Sequence, residues 1–148
     1  MRVISFNANG IRSAASKGFF DWLPAQDADL VCLQETKAQF PQLEADPRFC
    51  PVGYHCHYED ATIKKGYAGV ALYSRRKPDE VVRGLGVKEF DDEGRCIEAR
   101  FGRLSVVSLY LPSGSSGPHR QASKDRFLAF FIDTLKKWKA SGRDFIVC

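Results

Sequence analysis

Glu35 closes the run Leu30-Val31-Cys32-Leu33-Gln34-Glu35-Thr36-Lys37, in which a short stretch of branched apolar residues ends in a carboxylate. A run too short for a helix and rich in branched residues reads as a buried strand. Glu35 is therefore expected at the C-terminal edge of a sheet, where open α/β sheets bring loops and ligands together. Two amides, Asn7 and Asn9, follow another strand-like run, Arg2-Val3-Ile4-Ser5-Phe6, in the turn Asn7-Ala8-Asn9-Gly10. Carboxylate and amide oxygens are hard ligands, and Mg²⁺ takes few protein carboxylates while keeping waters for its substrate. This donor set suits a divalent cation working on phosphate. Tyr110 ends the run Leu104 to Tyr110, where a phenol can hydrogen-bond a phosphate oxygen as charge develops in an in-line displacement. Each residue also has an ordinary reading, with Glu35 pairing with Lys37 at a strand end and Tyr110 a half-buried strand aromatic.

These side chains need elements to position them. Val3 to Phe6, a helical segment Ile11 to Gln26 with Phe19, Phe20, Trp22 and Leu23 in its second half and Pro24 bending it, and Leu30 to Gln34 form a βαβ-like opening. If its strands are parallel neighbours, Asn7 and Glu35 lie at one edge. A loop with a short helical turn around Pro41 to Ala45 is expected next, followed by an antiparallel hairpin of Tyr54 to Glu59 and Ala68 to Ser74. Further strands are expected at Val81-Val82, Cys96 to Phe101 and Leu104 to Tyr110. The stretch from Leu111 to Pro118 is a loop by its Pro, Gly and Ser content. Ser123 then caps a helix to about Ala140, with Phe127, Phe130, Phe131, Leu135 and Trp138 along one side, and Phe145 to Cys148 begins another buried strand.

The chain of 148 residues is 44% hydrophobic and 12% aromatic, enough for one domain with a sizeable core. Its formal charge of +4 favours anionic partners only weakly. Five cysteines without a Cys-x-x-Cys pair argue against a disulfide framework and for a reducing cytoplasm. No apolar run approaches membrane-spanning length, and the strand beginning at Arg2 leaves no room for a signal peptide. In His55-Cys56-His57 the alternation of a strand turns Cys56 away from the two histidines, so zinc is not expected there. Arg12 and Arg95 each stand in or beside a loop at a strand end, a better place to meet a nucleic-acid backbone than the clusters Lys64-Lys65 and Arg75-Arg76-Lys77.

Four segments in order, Ile4-Ser5-Phe6-Asn7-Ala8-Asn9-Gly10-Ile11-Arg12, Leu33-Gln34-Glu35-Thr36-Lys37, Gly66-Tyr67-Ala68-Gly69-Val70-Ala71-Leu72-Tyr73-Ser74, and Glu93-Gly94-Arg95 leading to Tyr110-Leu111-Pro112, carry a resemblance. Together they resemble the exonuclease III type of AP endonuclease, within the endonuclease/exonuclease/phosphatase superfamily. The resemblance implies an α/β (α+β) fold, a four-layer αββα sandwich of the DNase I-like type with the active site at one end of the paired sheets. It implies Mg²⁺ or Mn²⁺ bound by Glu35 with support from Asn7, Tyr110 and Asn7 as catalytic groups, and Arg12 and Arg95 on the DNA backbone. Asn9 and Lys37 fall in the same motifs, with roles left open. The implied activity is hydrolysis of DNA at abasic sites, with 3′ to 5′ exonuclease action the other possibility.

The pattern departs from the family in two places. In the family the strand equivalent to Phe145 to Cys148 runs into Gly-Asp-x-Asn, and a later Ser-Asp-His segment follows; neither is in this sequence. Residues 1–148 therefore read as the N-terminal part of a single domain, inactive alone. Most of the second sheet is expected to be missing, with an apolar sheet face left to associate with itself or with the absent half. Gly18 to Asp29 and Leu111 to Gly117 also resemble bacterial catabolite repression control proteins, relatives without nuclease activity. A catalytically silent nucleic-acid-binding regulator is thus the alternative reading, against which Glu35 and Tyr110 argue.

Overall fold

In β1 (Val3–Asn7) and β2 (Leu30–Gln34) the backbone pairs in parallel, with Asn7 opposite Gln34. The computed structural model describes residues 1–114 and 117–148, so the expected loop from Leu111 to Pro118 lies in part, at 115 and 116, outside the described residues. β4 (Val70–Ser74) runs antiparallel to β2, and β3 (His55–Glu59) antiparallel to β4, giving one sheet in the order β1-β2-β4-β3. The second sheet has the order β5-β6-β7-β8, from β5 (Glu80–Arg83), β6 (Cys96–Phe101), β7 (Leu104–Leu109) and β8 (Asp144–Val147). Its last pair is parallel and the other two pairs antiparallel.

Every residue of β2 and β4 is buried, which explains why both read as continuous apolar runs: they are covered on both faces. With side chains alternating along each strand, Leu30, Cys32, Val70 and Leu72 face the second sheet and meet Ile97, Ala99, Phe101 and Val106. Each large apolar side chain removed from water there contributes about 1.5–3 kcal/mol. Val31, Leu33, Ala71 and Tyr73 face the other way, against α1 (Ile11–Ser16), α2 (Phe19–Trp22), α3 (Phe40–Glu44) and Leu23. On the far side of the second sheet, Val107 and Leu109 pack with Phe90 of α4 (Lys88–Asp91) and Phe127 of α5 (Pro118–Ala140). The layers run helix, sheet, sheet, helix, as the resemblance implies.

The structure corrects several expectations. Residues 11–26 are not one helix. Gly18, at φ 84, breaks the chain between α1 and α2, and a 3₁₀ turn with Pro24 near its start finishes the segment. α5 begins at Pro118, and Ser123 is no cap; it is buried inside the helix with its hydroxyl donating to Glu89 at 3.2 Å. Leu135 lies 43% exposed, while Phe130, Phe131 and Trp138 pack toward the sheet. The second sheet is present with four strands, and its Ile97, Ala99, Phe101 and Val106 cover the inner face of the first. What is left open are strand edges, with β1 and β8 on the same side of the sandwich because β2 packs on β7 and β4 on β6.

Candidate metal and phosphate site

The parallel pairing of β1 and β2 carries Asn7 and Glu35 to the same end, as the βαβ-like opening predicts. Past the last rung the two loops stay zipped by Ala8 N to Gln34 O at 2.8 Å, Gly10 N to Glu35 O at 2.7 Å and Ile11 N to Thr36 O at 2.8 Å. On the other side Thr36 and Lys37 donate to the carbonyls of Gly69 and Ala68 at 3.1 and 2.9 Å. The approach is close enough that a Cβ on Gly69, at φ 79, would stand 2.3 Å from Thr36 Oγ1. Asn9, Glu35, Lys37 and Ala68 all have left-handed backbone, at φ 43, 54, 49 and 45. Such a conformation costs an ordinary L-residue about 1–2 kcal/mol, and its concentration at one strand end marks a place where side-chain direction outweighs backbone comfort.

Those directions converge. Asn7 Nδ2 donates to Glu35 Oε1 at 2.8 Å, and its Oδ1 accepts from Asn9 N at 2.9 Å, fixing the amide's orientation. Lys37 Nζ lies 2.8 Å from Glu35 Oε2 and donates to Asn9 Oδ1 at 2.6 Å. The Tyr110 phenol, one residue beyond β7, faces the same carboxylate. Burial alone would raise the Glu35 carboxyl, but Lys37, Asn7 and Tyr110 together hold it below the usual range, so it is an anion at neutral pH. Burial, and then the Glu35 charge, push the Tyr110 phenol up, which keeps it a neutral hydrogen-bond donor. The Glu35 side chain is 17% exposed, reachable from solvent without being solvated all round.

Arg12 stands exposed in the first turn of α1, and among the described residues it has no ion-pair partner. Arg95 is placed differently from the DNA-backbone position expected of it. Its side chain is 1% exposed and its donors are committed: Nε to Glu93 at 2.5 Å, one Nη to the Tyr110 carbonyl at 3.0 Å, the other to the Tyr67 hydroxyl at 3.0 Å. Its guanidinium lies 5.0 Å from the centre of the Tyr110 ring. Buried among these partners, Arg95 acts as a strut behind Tyr110 instead of a surface cation. Arg120 of α5 completes the strut, donating to the other Glu93 oxygen at 3.0 Å and to Tyr67.

Tyr67, Glu93 and Arg120 were not singled out by sequence reasoning, although Tyr67 and Glu93 lie inside quoted motifs. Nothing local distinguishes Arg120 from the other cations of α5. Gln34 was missed as well: it is 8% exposed, and its Nε2 reaches Ser108 Oγ at 3.3 Å and the Cys148 carbonyl at 3.4 Å, joining the two sheets under the site. A polar residue ending an otherwise apolar buried run was the available signal. Among the described residues no group of three or more acidic, imidazole or thiol side chains comes together, His55, Cys56 and His57 included.

Two stacked four-stranded sheets between helix layers, with a carboxylate, two amides, an ammonium and a phenol gathered at one end, define an αββα sandwich carrying a polar site at the end of its stacked sheets. The chain belongs to the Endonuclease/Exonuclease/phosphatase family, whose pattern it matches over residues 4–148. It is 40% identical over 142 residues to an exodeoxyribonuclease of Bacillus subtilis, a match covering 93% of this chain and 54% of the relative. It is 38% identical over 146 residues to the DNA repair nuclease APEX1 of Danio rerio, covering 99% of this chain and 44% of the relative. Among solved structures, the APE2 catalytic domain of Xenopus laevis superposes with a TM-score of 0.82 at 26% identity, over 99% of this chain and 57% of that one. The chain thus spans about half the length of the curated relatives it matches. No helix among the described residues is long and apolar enough to cross a membrane.

Proposed function

We propose that this chain supplies the metal-holding and phosphate-contacting part of a DNA phosphodiester hydrolase of base-excision repair, cutting the backbone at abasic sites. The observation that carries this reading is the convergence of Glu35, Asn7 and Tyr110 at one end of the sandwich, with Glu35 aimed by a left-handed backbone. The donor set fits Mg²⁺ or Mn²⁺: one ionised, partly accessible carboxylate backed by an amide leaves most of the coordination sphere to water and phosphate. Glu35 would hold the ion, with Asn7 fixing the carboxylate's direction. When bound there, a divalent ion would supply Lewis-acid polarisation of the phosphate and stabilisation of the leaving oxygen. Tyr110, kept neutral and propped by Arg95, donates a hydrogen bond to a non-bridging phosphate oxygen. Arg12, exposed and unpaired among the described residues, meets the backbone of the bound strand. The relatives' names, exodeoxyribonuclease and DNA repair nuclease, support DNA as the substrate.

The remaining groups, including a base for the attacking water, would come from the rest of a longer parent, docked along β1 and β8, the edge strands of the two sheets among the described residues. Five free thiols suit a cytoplasmic home. The test is Glu35→Ala in the full-length parent, assayed on a duplex with one abasic site. Cleavage is expected to fall at least about a hundredfold with duplex affinity nearly unchanged, because a metal ligand and not a phosphate contact is removed. Near-normal turnover in saturating Mg²⁺ would remove Glu35 from the chemistry, and tight binding by a parent that never cleaves would turn the reading to a silent regulator.

A further inference from the structure

We infer that the Lys37 ammonium is the resident cation of this site and that a divalent ion enters by displacing it, so that Lys37 sets the metal concentration at which the site fills. This inference rests on the metal reading above. The ammonium stands between the two oxygens a metal would want, 2.8 Å from Glu35 Oε2 and 2.6 Å from Asn9 Oδ1. The backbone around it is shaped for this meeting. Lys37, Glu35 and Asn9, the cation and both of its oxygen partners, each have left-handed backbone, at φ 49, 54 and 43. The two loops carrying them are tied together by Gly10 N to Glu35 O and Ile11 N to Thr36 O, and Lys37 N is held by Ala68 O at 2.9 Å. A backbone bent in this way at three points starts the Lys37 stem on the side of the carboxylate and the amide, within reach of both.

A charge-neutral pair has a direct consequence for a second cation. With Lys37 in place, Glu35 presents little net negative charge, and an incoming divalent ion meets a positive charge within a few ångströms of its ligand. The ion must either tolerate that repulsion or drive the ammonium out. The second course is open because the Lys37 side chain is 37% exposed and can swing into solvent without leaving a buried charge. Because the pair is partly solvated, removing the competing charge should tighten metal binding by about two- to fivefold, the range of an ordinary ion pair near a surface.

The experiment is a titration of the protein with Mn²⁺ alone, followed by the loss of the free-ion electron paramagnetic resonance signal, on wild type, Lys37→Met, Lys37→Gln, Lys37→Arg and Glu35→Gln. Circular dichroism checks that each variant folds. The expected result is binding in wild type, loss in Glu35→Gln, about two- to fivefold tighter binding in both Lys37→Met and Lys37→Gln, and wild-type affinity in Lys37→Arg, which keeps the charge. Equal affinity in all Lys37 variants would overturn the inference while leaving the metal site standing. Weaker binding in Lys37→Met and Lys37→Gln would overturn it in favour of a role in orienting Glu35. Affinity that ignores Glu35→Gln, or no Mn²⁺ bound by any folded form, would overturn the metal reading and the inference with it.

Discussion

Replacing Arg95 by Met tests whether this residue is a buried strut or a DNA contact. The side chain is 1% exposed, and its partner Glu93 is 7% exposed, so the substitution removes one member of an ion pair that has little water to fall back on. It also takes a donor from the Tyr110 carbonyl and one from the Tyr67 hydroxyl, both 3.0 Å away. Removing one member of a buried pair costs about 3–5 kcal/mol when the survivor is left alone. Here the survivor is not alone, since Arg120 keeps its 3.0 Å contact with the second Glu93 oxygen, and Met fills much of the arginine stem's volume. The expected loss is therefore about 2–3 kcal/mol. With a urea m-value of about 2 kcal/mol/M, the unfolding midpoint should fall by about 1–1.5 M. The assay is urea unfolding followed by far-UV circular dichroism, with near-UV dichroism reporting on the order of Tyr67 and Tyr110. Arg95→Lys should fall between, because it restores the charge without the planar fork that reaches three acceptors at once. A midpoint within about 0.2 M of wild type for Arg95→Met would refute the strut.

Gly69→Ala should lower stability by about 2–4 kcal/mol, because it combines left-handed φ with a 2.3 Å approach to Oγ1 of Thr36, a residue only 1% exposed. Thermal unfolding beside Gly102→Ala, where φ is 58 but nothing stands within 4 Å, separates the clash from the backbone term; equal losses would refute the close approach. In the full-length parent, Arg12→Ala should weaken duplex binding and reduce the slope of log affinity against log salt by about one, the signature of one lost phosphate contact. An unchanged slope would leave Arg12 a solvated helix residue. For residues 1–148 alone, the unpaired β1 and β8 edges on one side of the sandwich should give concentration-dependent association by light scattering. A single-chain mass at every concentration would show that these edges protect themselves.

Local chemistry determined a good part of the site. Glu35 was legible because a branched apolar run of strand length ended in an acid, and Asn7 because a second run ended in turn-forming amides; both signals lie within a few residues. The parallel neighbouring of those strands followed from the short helical connection between them. The sandwich itself came from the resemblance of four motifs, since a period-two pattern says that a strand is buried without saying against which sheet. What tertiary structure alone decided are meetings across distance. Lys37 finds Asn9 28 positions away, and Arg120 finds Glu93 across 27. Arg95 reads in sequence as a loop cation placed to meet a nucleic-acid backbone, and only the packing of Tyr110, Tyr67 and Glu93 around it makes it a buried strut. The same holds for Ser123, which has a capping residue's chemistry but takes its partner, Glu89, from another element. Propensity and spacing report what a residue prefers next to its neighbours in the chain, whereas a side chain's partner, burial and charge state depend on which element folds against it, and that is settled by the packing of the whole molecule.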